Sequence, residues 1–175
     1  MKVDLLLECD LDKYREDILK CCRDNPQIFD IQCELDPEND DDIIDTIRFY
    51  INNDHCMVQA ILSNDREYLF GIVFYEDIRM SNDGCAAQIH FITDKGIWGS
   101  DFHILYPPIL RKNPFDIIYG ILPANCRGII ALCKKLGFKK TGYIPKSIPY
   151  KNVKGEVKMF DQLIYTYYNK GGVHA

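Results

Sequence analysis

The sequence predicts a single α/β domain in which helices pack against one mixed sheet. Three observations lead to this fold class. The chain has 175 residues, the usual length of one domain. Apolar stripes at helical spacing alternate with short apolar, β-rich runs. Hydrophobic residues make up 47% and charged residues 27%, as in ordinary soluble domains. We expect residues 1–169 to form the domain and residues 170–175 to be a flexible tail.

Two helices are expected near the N-terminus. Asp10 or Asp12 is suited to cap the first, which should run to about Arg23. Asp36 is the expected N-cap of the second, with Pro37 at its first position. The acidic run 40–42 follows, near the positive end of the helix dipole, so it needs no functional explanation.

Short apolar runs predict the strands, and turn residues separate them. Asn82-Asp83-Gly84 is a strong hairpin signal between the third and fourth long runs. After Ser100 we expect at most about two helical turns, because Pro108 lacks a backbone donor and clashes with the preceding turn. A later helix is expected over 124–135, with Gly137 suited to its C-cap. The expected strands are 3–7, 56–62, 68–75, 85–93, 115–122, 143–144 and 159–168.

Charge is unevenly distributed along the chain. The net charge is −5, but residues 1–50 hold 15 acids and 6 bases, whereas residues 127–158 hold 9 bases and 1 acid. A globally acidic protein is a poor candidate for general nucleic-acid binding. The basic stretch could meet a phosphate-bearing ligand or be a solvated lysine face. No apolar run approaches the ~20 residues of a membrane span, so we expect no membrane partner.

Eight cysteines are present, and their spacing argues against disulfides. Cys21 and Cys22 are adjacent and no Cys-x-x-Cys motif occurs. We interpret the cysteines as reduced thiols used as small core residues, typical of a cytoplasmic protein. Clustered zinc ligands are also missing from the sequence, so no metal site is expected.

The stretch from Asn125 to Tyr143 carries a family resemblance. It reads NCRGIIALCKKLGFKKTGY and follows an apolar strand. This segment resembles the late helix and strand of the GNAT (Gcn5-related N-acetyltransferase) superfamily, and residues 155–165 resemble its closing hairpin. The resemblance covers about residues 55–168. In its overall texture, the chain also resembles small GNAT-like proteins that tailed phages encode among their virion and head-assembly genes.

The resemblance implies an acetyl-CoA site. In such folds strands four and five splay apart, and the pantetheine arm of acetyl-CoA takes backbone hydrogen bonds in the split. The pyrophosphate sits on backbone N–H groups of a glycine-rich loop that opens a helix. By this resemblance the acetyl-CoA-binding residues are Phe91, Thr93, Gly96, Gly99, Ser100 and Asn125.

The loop from Gly96 to Asp101 departs from the family pattern. Gly99 fills the central glycine position, but Gly96 stands where Gln or Arg is usual. Asp101 stands where Gly or Ala is usual, which places a carboxylate near a diphosphate. These departures leave open a second hypothesis: a GNAT fold that has lost catalysis and serves as a structural or assembly protein, in a phage particle for example.

Amine acetylation needs a base for the ammonium and an acid for the leaving thiolate. By chemistry His90 is the best general-base candidate, and its alternative is a satisfied structural histidine. Glu76 is the second candidate, with a solvated strand end as its alternative. Cys133 stands where the family often places the Tyr that serves as general acid, but it could be a buried apolar residue. Tyr143 and Tyr165 could line the acceptor site or simply pack.

The resemblance therefore implies an acetyl-CoA-dependent acyltransferase that acts on an amine. We expect the protein to be cytoplasmic, which means the host cytoplasm or a virion if the chain is phage-encoded. Acetyl-CoA is the only cofactor-like molecule expected, and it acts as a substrate. The expected partner is an amine acceptor of unknown identity or, under the second hypothesis, another protein of a viral assembly.

Overall fold

The computed structural model describes residues 1–25, 39–82, 84–94, 102–151 and 157–169, and every structural statement below refers to these. The predicted fold class is confirmed: within the described ranges, seven strands form one mixed sheet, in the order β1-β2-β3-β4-β5-β7-β6, with four α-helices. The elements are β1 (Lys2–Leu5), α1 (Arg15–Asp24), α2 (Asp40–Ile51), β2 (Met57–Leu62), β3 (Leu69–Ser81), β4 (Gly84–Thr93), α3 (Phe102–Lys112), β5 (Ile117–Pro123), α4 (Arg127–Lys135), β6 (Lys139–Lys151) and β7 (Val157–Tyr168).

Helix α1 starts later than predicted. It begins at Arg15, and neither Asp10 nor Asp12 caps it. Asp10 instead belongs to a short 3₁₀ helix, where its carboxylate accepts a hydrogen bond from the backbone N–H of Leu7 at 3.0 Å. A local side-chain bond of this kind competes with helix initiation, which explains the difference.

Helix α2 is capped by Asn39, whose side chain accepts hydrogen bonds from the N–H groups of Asp41 and Asp42. The acidic run fills the first turn as expected. The expected cap Asp36 and its neighbour Pro37 lie outside the described residues.

Strands β4 and β5 are parallel neighbours, as predicted. Their pairing runs from Ala86–Ile117 to Gln88–Tyr119. Both strands continue past the last recorded pair, β4 to Thr93 and β5 to Pro123. Parallel pairing that stops while both strands continue is the feature expected from the GNAT resemblance.

The prediction that Pro108 ends the helix after Gly99 was wrong. Helix α3 includes both Pro107 and Pro108 and continues to Lys112. An internal proline costs a helix about 3 kcal/mol through its lost hydrogen bond and its clash. Burial opposes this cost, because three α3 side chains, Tyr106, Ile109 and Leu110, are at most 6% exposed. Burying one such side chain contributes roughly 1.5–3 kcal/mol, so packing outweighs the local preference.

Strand β6 is much longer than the 143–144 segment predicted. This strand contains prolines and lysines, and it lies at the edge of the sheet, where both residue types are tolerated. Its pairing with β7 shifts register twice, between Lys140 and Gly142 and between Ile144 and Ile148. Lys146, inside the second irregularity, has a φ of 45°.

The chain divides into two compact units. Unit 1 comprises Met1–Ile78 and Ile89–Asn113, and unit 2 comprises Arg79–Gln88 and Pro114–Ala175. Strands β3 and β4 run through both. The largest buried cluster belongs to unit 1, where α1 and α2 cover β2, β3 and β4; it includes Ile18, Cys22, Ile43, Ile47, Ile72 and Ile92.

Cys21 and Cys22 are core residues, and the seven described cysteines are free thiols, while Cys33 lies outside the described residues. None of the described helices is long and apolar enough to cross a bilayer. Across the described residues, no cluster of His, Cys, Asp or Glu could hold a metal ion.

Candidate functional site

His90 and Glu76, the two candidate bases, lie next to each other in unit 1. The Nε2 of His90 is 3.5 Å from Oε2 of Glu76. Side chains of a strand alternate between its faces. Glu76 therefore shares a face with Phe74, and His90 with Ile92, and both apolar residues belong to the core beneath α1 and α2. The pair is thus a polar continuation of that apolar face.

The surroundings of the pair favour a neutral imidazole. The two side chains are 17% and 19% exposed, so they border solvent without being fully solvated. Burial lowers the pKa of His90, and the carboxylate of Glu76 partly opposes this shift. A histidine with a pKa below its ordinary value is unprotonated at neutral pH and can accept a proton.

Cys56 is a third member of this neighbourhood that the sequence did not reveal. The register pairs Met57 with Tyr75, so Cys56 comes opposite Glu76 on the same face. Burial, with a contribution from the Glu76 carboxylate, raises the pKa of the Cys56 thiol to about 11. The thiol is therefore protonated at neutral pH. An isolated Cys before a strand carries no sequence signal for such a position.

The backbone N–H and C=O groups of Phe91 and Thr93 lie on one edge of β4. The N–H of Asp94 donates to the carbonyl of Phe70 in β3 at 3.0 Å, and a Cβ on Gly71 would lie 2.7 Å from the carbonyl oxygen of Ile92. These groups of β4 therefore point toward β3. Because neighbouring residues of a strand direct their backbone groups to opposite edges, those of Phe91 and Thr93 point away from β3. The side chain of Phe91 packs on Tyr106 of α3, with ring centroids 4.5 Å apart.

The end of α1 holds the end of β4 through polar contacts that the sequence did not reveal. The side-chain amide of Asn25, which is 1% exposed, donates to the carbonyl of Thr93 at 2.6 Å and to that of Cys21 at 2.8 Å. Lys20 forms an ion pair with Asp94, the residue after β4. In the sequence, Pro26 after Asn25 indicates only that the helix ends there.

The other predicted site residues of described structure lie in unit 2. Asn125 follows β5 and precedes α4, at the junction where the resemblance puts it. Cys133 is half-buried in α4, and burial raises the pKa of its thiol to about 11. Tyr165 is buried, whereas Tyr143 is half-exposed and donates its hydroxyl hydrogen to Asp161 at 2.8 Å. Both arrangements are compatible with packing roles.

Gly96, Gly99 and Ser100, and also Asp101, lie outside the described residues. The predictions made for this loop therefore stay predictions.

The two units differ in the ion pairs that their Lys and Arg side chains make. In unit 1, six of the described Lys and Arg side chains pair with carboxylates; among them Arg15 pairs with Asp41 at 2.7 Å and Arg66 with Asp4 at 2.9 Å. In α4, β6 and β7, the Lys and Arg side chains that the structure describes make no ion pair with the described carboxylates. They are Arg127, Lys134, Lys135, Lys139, Lys140, Lys146 and Lys158, and all are exposed. Unit 2 as a whole holds 11 Lys and Arg and 4 Asp and Glu, a net charge of +7, against −12 for unit 1.

No protein-family model and no curated protein matches the chain. Solved structures do match it. The spermidine N-acetyltransferase of Vibrio cholerae, in complex with CoA and spermine, has a TM-score of 0.70 at 15% identity, over 95% of this chain and 94% of that one. A putative acetyltransferase of Acinetobacter baylyi gives 0.69 at 14% identity, over 99% and 94% of the chains.

A GNAT-family acetyltransferase of Bacillus anthracis has a TM-score of 0.65 at 11% identity, over 95% of this chain and 93% of that one. Each likeness extends over nearly the whole of both chains, at identities too low to carry an activity across. Together with the strand order and the short β4–β5 pairing, these likenesses show that the chain has the GNAT fold.

Proposed function

We propose that the chain is an acetyl-CoA-dependent N-acyltransferase that acts on an amine. The observation that carries the proposal is the His90–Glu76 pair, in which Nε2 and Oε2 are 3.5 Å apart. His90 comes one residue before Phe91, whose backbone groups point away from β3. A partly buried neutral base thus stands next to a strand edge that can receive an extended amide chain.

The proposed reaction uses the pair for proton transfer. The neutral imidazole of His90 takes a proton from the substrate ammonium, and the carboxylate of Glu76 stabilises the imidazolium that forms. The amine nitrogen then attacks the thioester carbonyl carbon, the C–S bond breaks, and the nitrogen gives up its second proton while the CoA thiolate takes one up. Cys133 stays a candidate donor for that last proton, although a thiol of pKa about 11 is a weaker acid than an ordinary cysteine.

Backbone groups of Phe91 and Thr93 are the proposed partners of the pantetheine amides. Gly96, Gly99 and Ser100 are the proposed pyrophosphate site, and Asn125 is a proposed contact of the cofactor-like substrate; these four assignments come from the family resemblance alone. The net charge of −12 on unit 1 favours an amine acceptor that carries positive charge.

Titration calorimetry with acetyl-CoA tests the proposal directly. Wild type should bind, Gly99→Val should abolish binding by blocking backbone approach, and Gly128→Ala, at a site with nothing within 4 Å, should bind as wild type does. Mass spectrometry of products from an amine panel then tests turnover. Spermidine and spermine belong on that panel, because the Vibrio cholerae structure was solved with spermine.

The departures at Gly96 and Asp101 favour the alternative, a GNAT-fold structural or assembly protein, as in a phage particle. A wild-type protein that binds neither acetyl-CoA nor CoA would support the alternative and overturn our proposal. Binding that survives Gly99→Val would instead show that the pyrophosphate site was misplaced.

A further inference from the structure

Asn25 holds a single backbone carbonyl at the end of β4. Its side chain is 1% exposed, and its amide nitrogen donates at 2.6 Å to Thr93 and at 2.8 Å to Cys21. The backbone N–H of Asn25 is occupied as well, donating to Cys22 at 3.0 Å. Both amide hydrogens are thus used, one to close α1 and the other to reach the neighbouring strand.

The direction of the Thr93 carbonyl follows from peptide geometry. In a trans peptide the C=O of one residue and the N–H of the next point in opposite directions. The N–H of Asp94 points to Phe70 of β3, and the described peptides contain no cis bond. The carbonyl of Thr93 therefore lies on the other edge of β4, which Asn25 reaches from α1.

The N–H and C=O of one strand residue point to the same edge, so the N–H of Thr93 also points away from β3. Asn25 donates to the carbonyl of Thr93 and does not engage the Thr93 N–H. The edge then offers an acceptor at Phe91 and a donor at Thr93, and its last acceptor is already taken. An extended amide chain can pair with this edge up to Thr93 and no further.

We infer that Asn25 is a positioning residue: by fixing the carbonyl of Thr93 it sets the peptide plane that presents the Thr93 N–H to an amide carbonyl of the acyl-CoA arm. This inference rests on the proposed function. Lys20 supports the same end of the strand through its ion pair with Asp94, but it does not touch the Thr93 carbonyl.

Asn25→Asp is the sharpest test, because it keeps the shape and makes the hydrogen bonds depend on pH. Burial and two facing carbonyls raise the pKa of a carboxyl group at this position. At low pH the protonated carboxyl can donate one hydrogen bond, whereas at high pH a carboxylate repels both carbonyls. The KM for acetyl-CoA should therefore rise by roughly ten-fold with pH in this variant, from the loss of one buried hydrogen bond.

Asn52→Asp is the matched control, since Asn52 also follows a helix but is exposed. Its KM for acetyl-CoA should keep the wild-type pH profile. The amine KM and kcat of Asn25→Asp should stay within about two-fold of wild type. A purely structural role would lower the folded fraction and hence kcat, with both KM values unchanged.

Asn25→Leu, folded by circular dichroism, should raise the acetyl-CoA KM at every pH. If Asn25→Asp has a pH-independent KM equal to that of wild type, the inference is overturned and the proposed function stands. If wild type itself neither binds nor turns over acetyl-CoA, the proposed function fails first.

Discussion

The Nε2 atom of His90 lies 3.5 Å from the Oε2 atom of Glu76, on two neighbouring strands of the sheet. A fully exposed pair at this distance would be weak and easily screened. This one is about four-fifths buried, and its imidazole has a lowered pKa despite the adjacent carboxylate. Desolvation therefore outweighs the ion pair, and the histidine is available as a base.

Replacing His90 by Gln should lower kcat by roughly 100-fold or more, because the proposed general base is lost. In wild type, kcat/KM should fall as pH drops through the lowered pKa of His90, since only the neutral imidazole accepts a proton. The measurement is a pH–rate profile from pH 5 to 9. His55→Gln, at an exposed histidine, should leave it unchanged. An acid limb that persists in His90→Gln would assign it to another group.

Replacing Glu76 by Gln should lower the pKa of His90 further, because the carboxylate is the contribution that raises it. The imidazole resonances of His90 should then titrate at a lower pH in an NMR titration. Glu67→Gln, at an exposed carboxylate, is the control. An unchanged or raised pKa in Glu76→Gln would contradict the geometry of the pair.

Acid should also destabilise the fold through His90. Its folded pKa lies below its unfolded value of about 6.5, so between these values the unfolded state binds more protons. The free energy of unfolding therefore falls as pH drops through this window. Urea unfolding at pH 7 and pH 5 should show a smaller loss in His90→Gln than in wild type, and an equal loss would count against the prediction.

Gly71→Ala should destabilise the protein by about 1–3 kcal/mol, as overpacking does. A Cβ there would lie 2.7 Å from the carbonyl oxygen of Ile92 and from the side chain of Thr93. Gly128→Ala is the control, because a Cβ there meets nothing within 4 Å, and it should raise stability by up to about 1 kcal/mol. Chemical unfolding measures both, and a neutral Gly71→Ala would show that β3 and β4 can move apart.

Pro108→Ala should stabilise the protein by about 1–2 kcal/mol. The substitution removes a cost of about 3 kcal/mol inside α3, and a more flexible unfolded chain returns up to about 1 kcal/mol of that gain. Pro145→Ala, at an exposed position of edge strand β6, should change the free energy of unfolding little. A less stable Pro108→Ala would show that the ring itself packs well enough to compensate.

Much of the fold could be predicted from the sequence because its signals are local. Apolar periodicity located α1, α2 and the long strands, and Asn82-Asp83-Gly84 located the turn between β3 and β4. The errors arose where tertiary structure overrides a local rule. Burial of Ile109 and Leu110 carries α3 through two prolines. The edge position of β6 tolerates residues that a central strand would exclude.

The candidate site was predictable only in part. Chemistry alone selected His90 and Glu76, and the structure places them together. Cys56 and Asn25 could not be found this way, because their roles depend on strand register and on how the end of α1 meets β4. Such contacts join residues far apart in the chain and leave no pattern in a single sequence.

The described lysines of α4, β6 and β7, which pair with none of the described carboxylates, have a practical consequence for purification. A protein with a pI near 5.3 is expected to pass through a cation-exchange column at pH 7. Retention depends on the charges that meet the resin, however, and at low ionic strength those lysines are unscreened. We expect this protein to be retarded on both anion and cation exchangers at low salt. Lys134→Glu with Lys135→Glu should abolish the retardation on the cation exchanger, because both substitutions remove positive charge from unit 2.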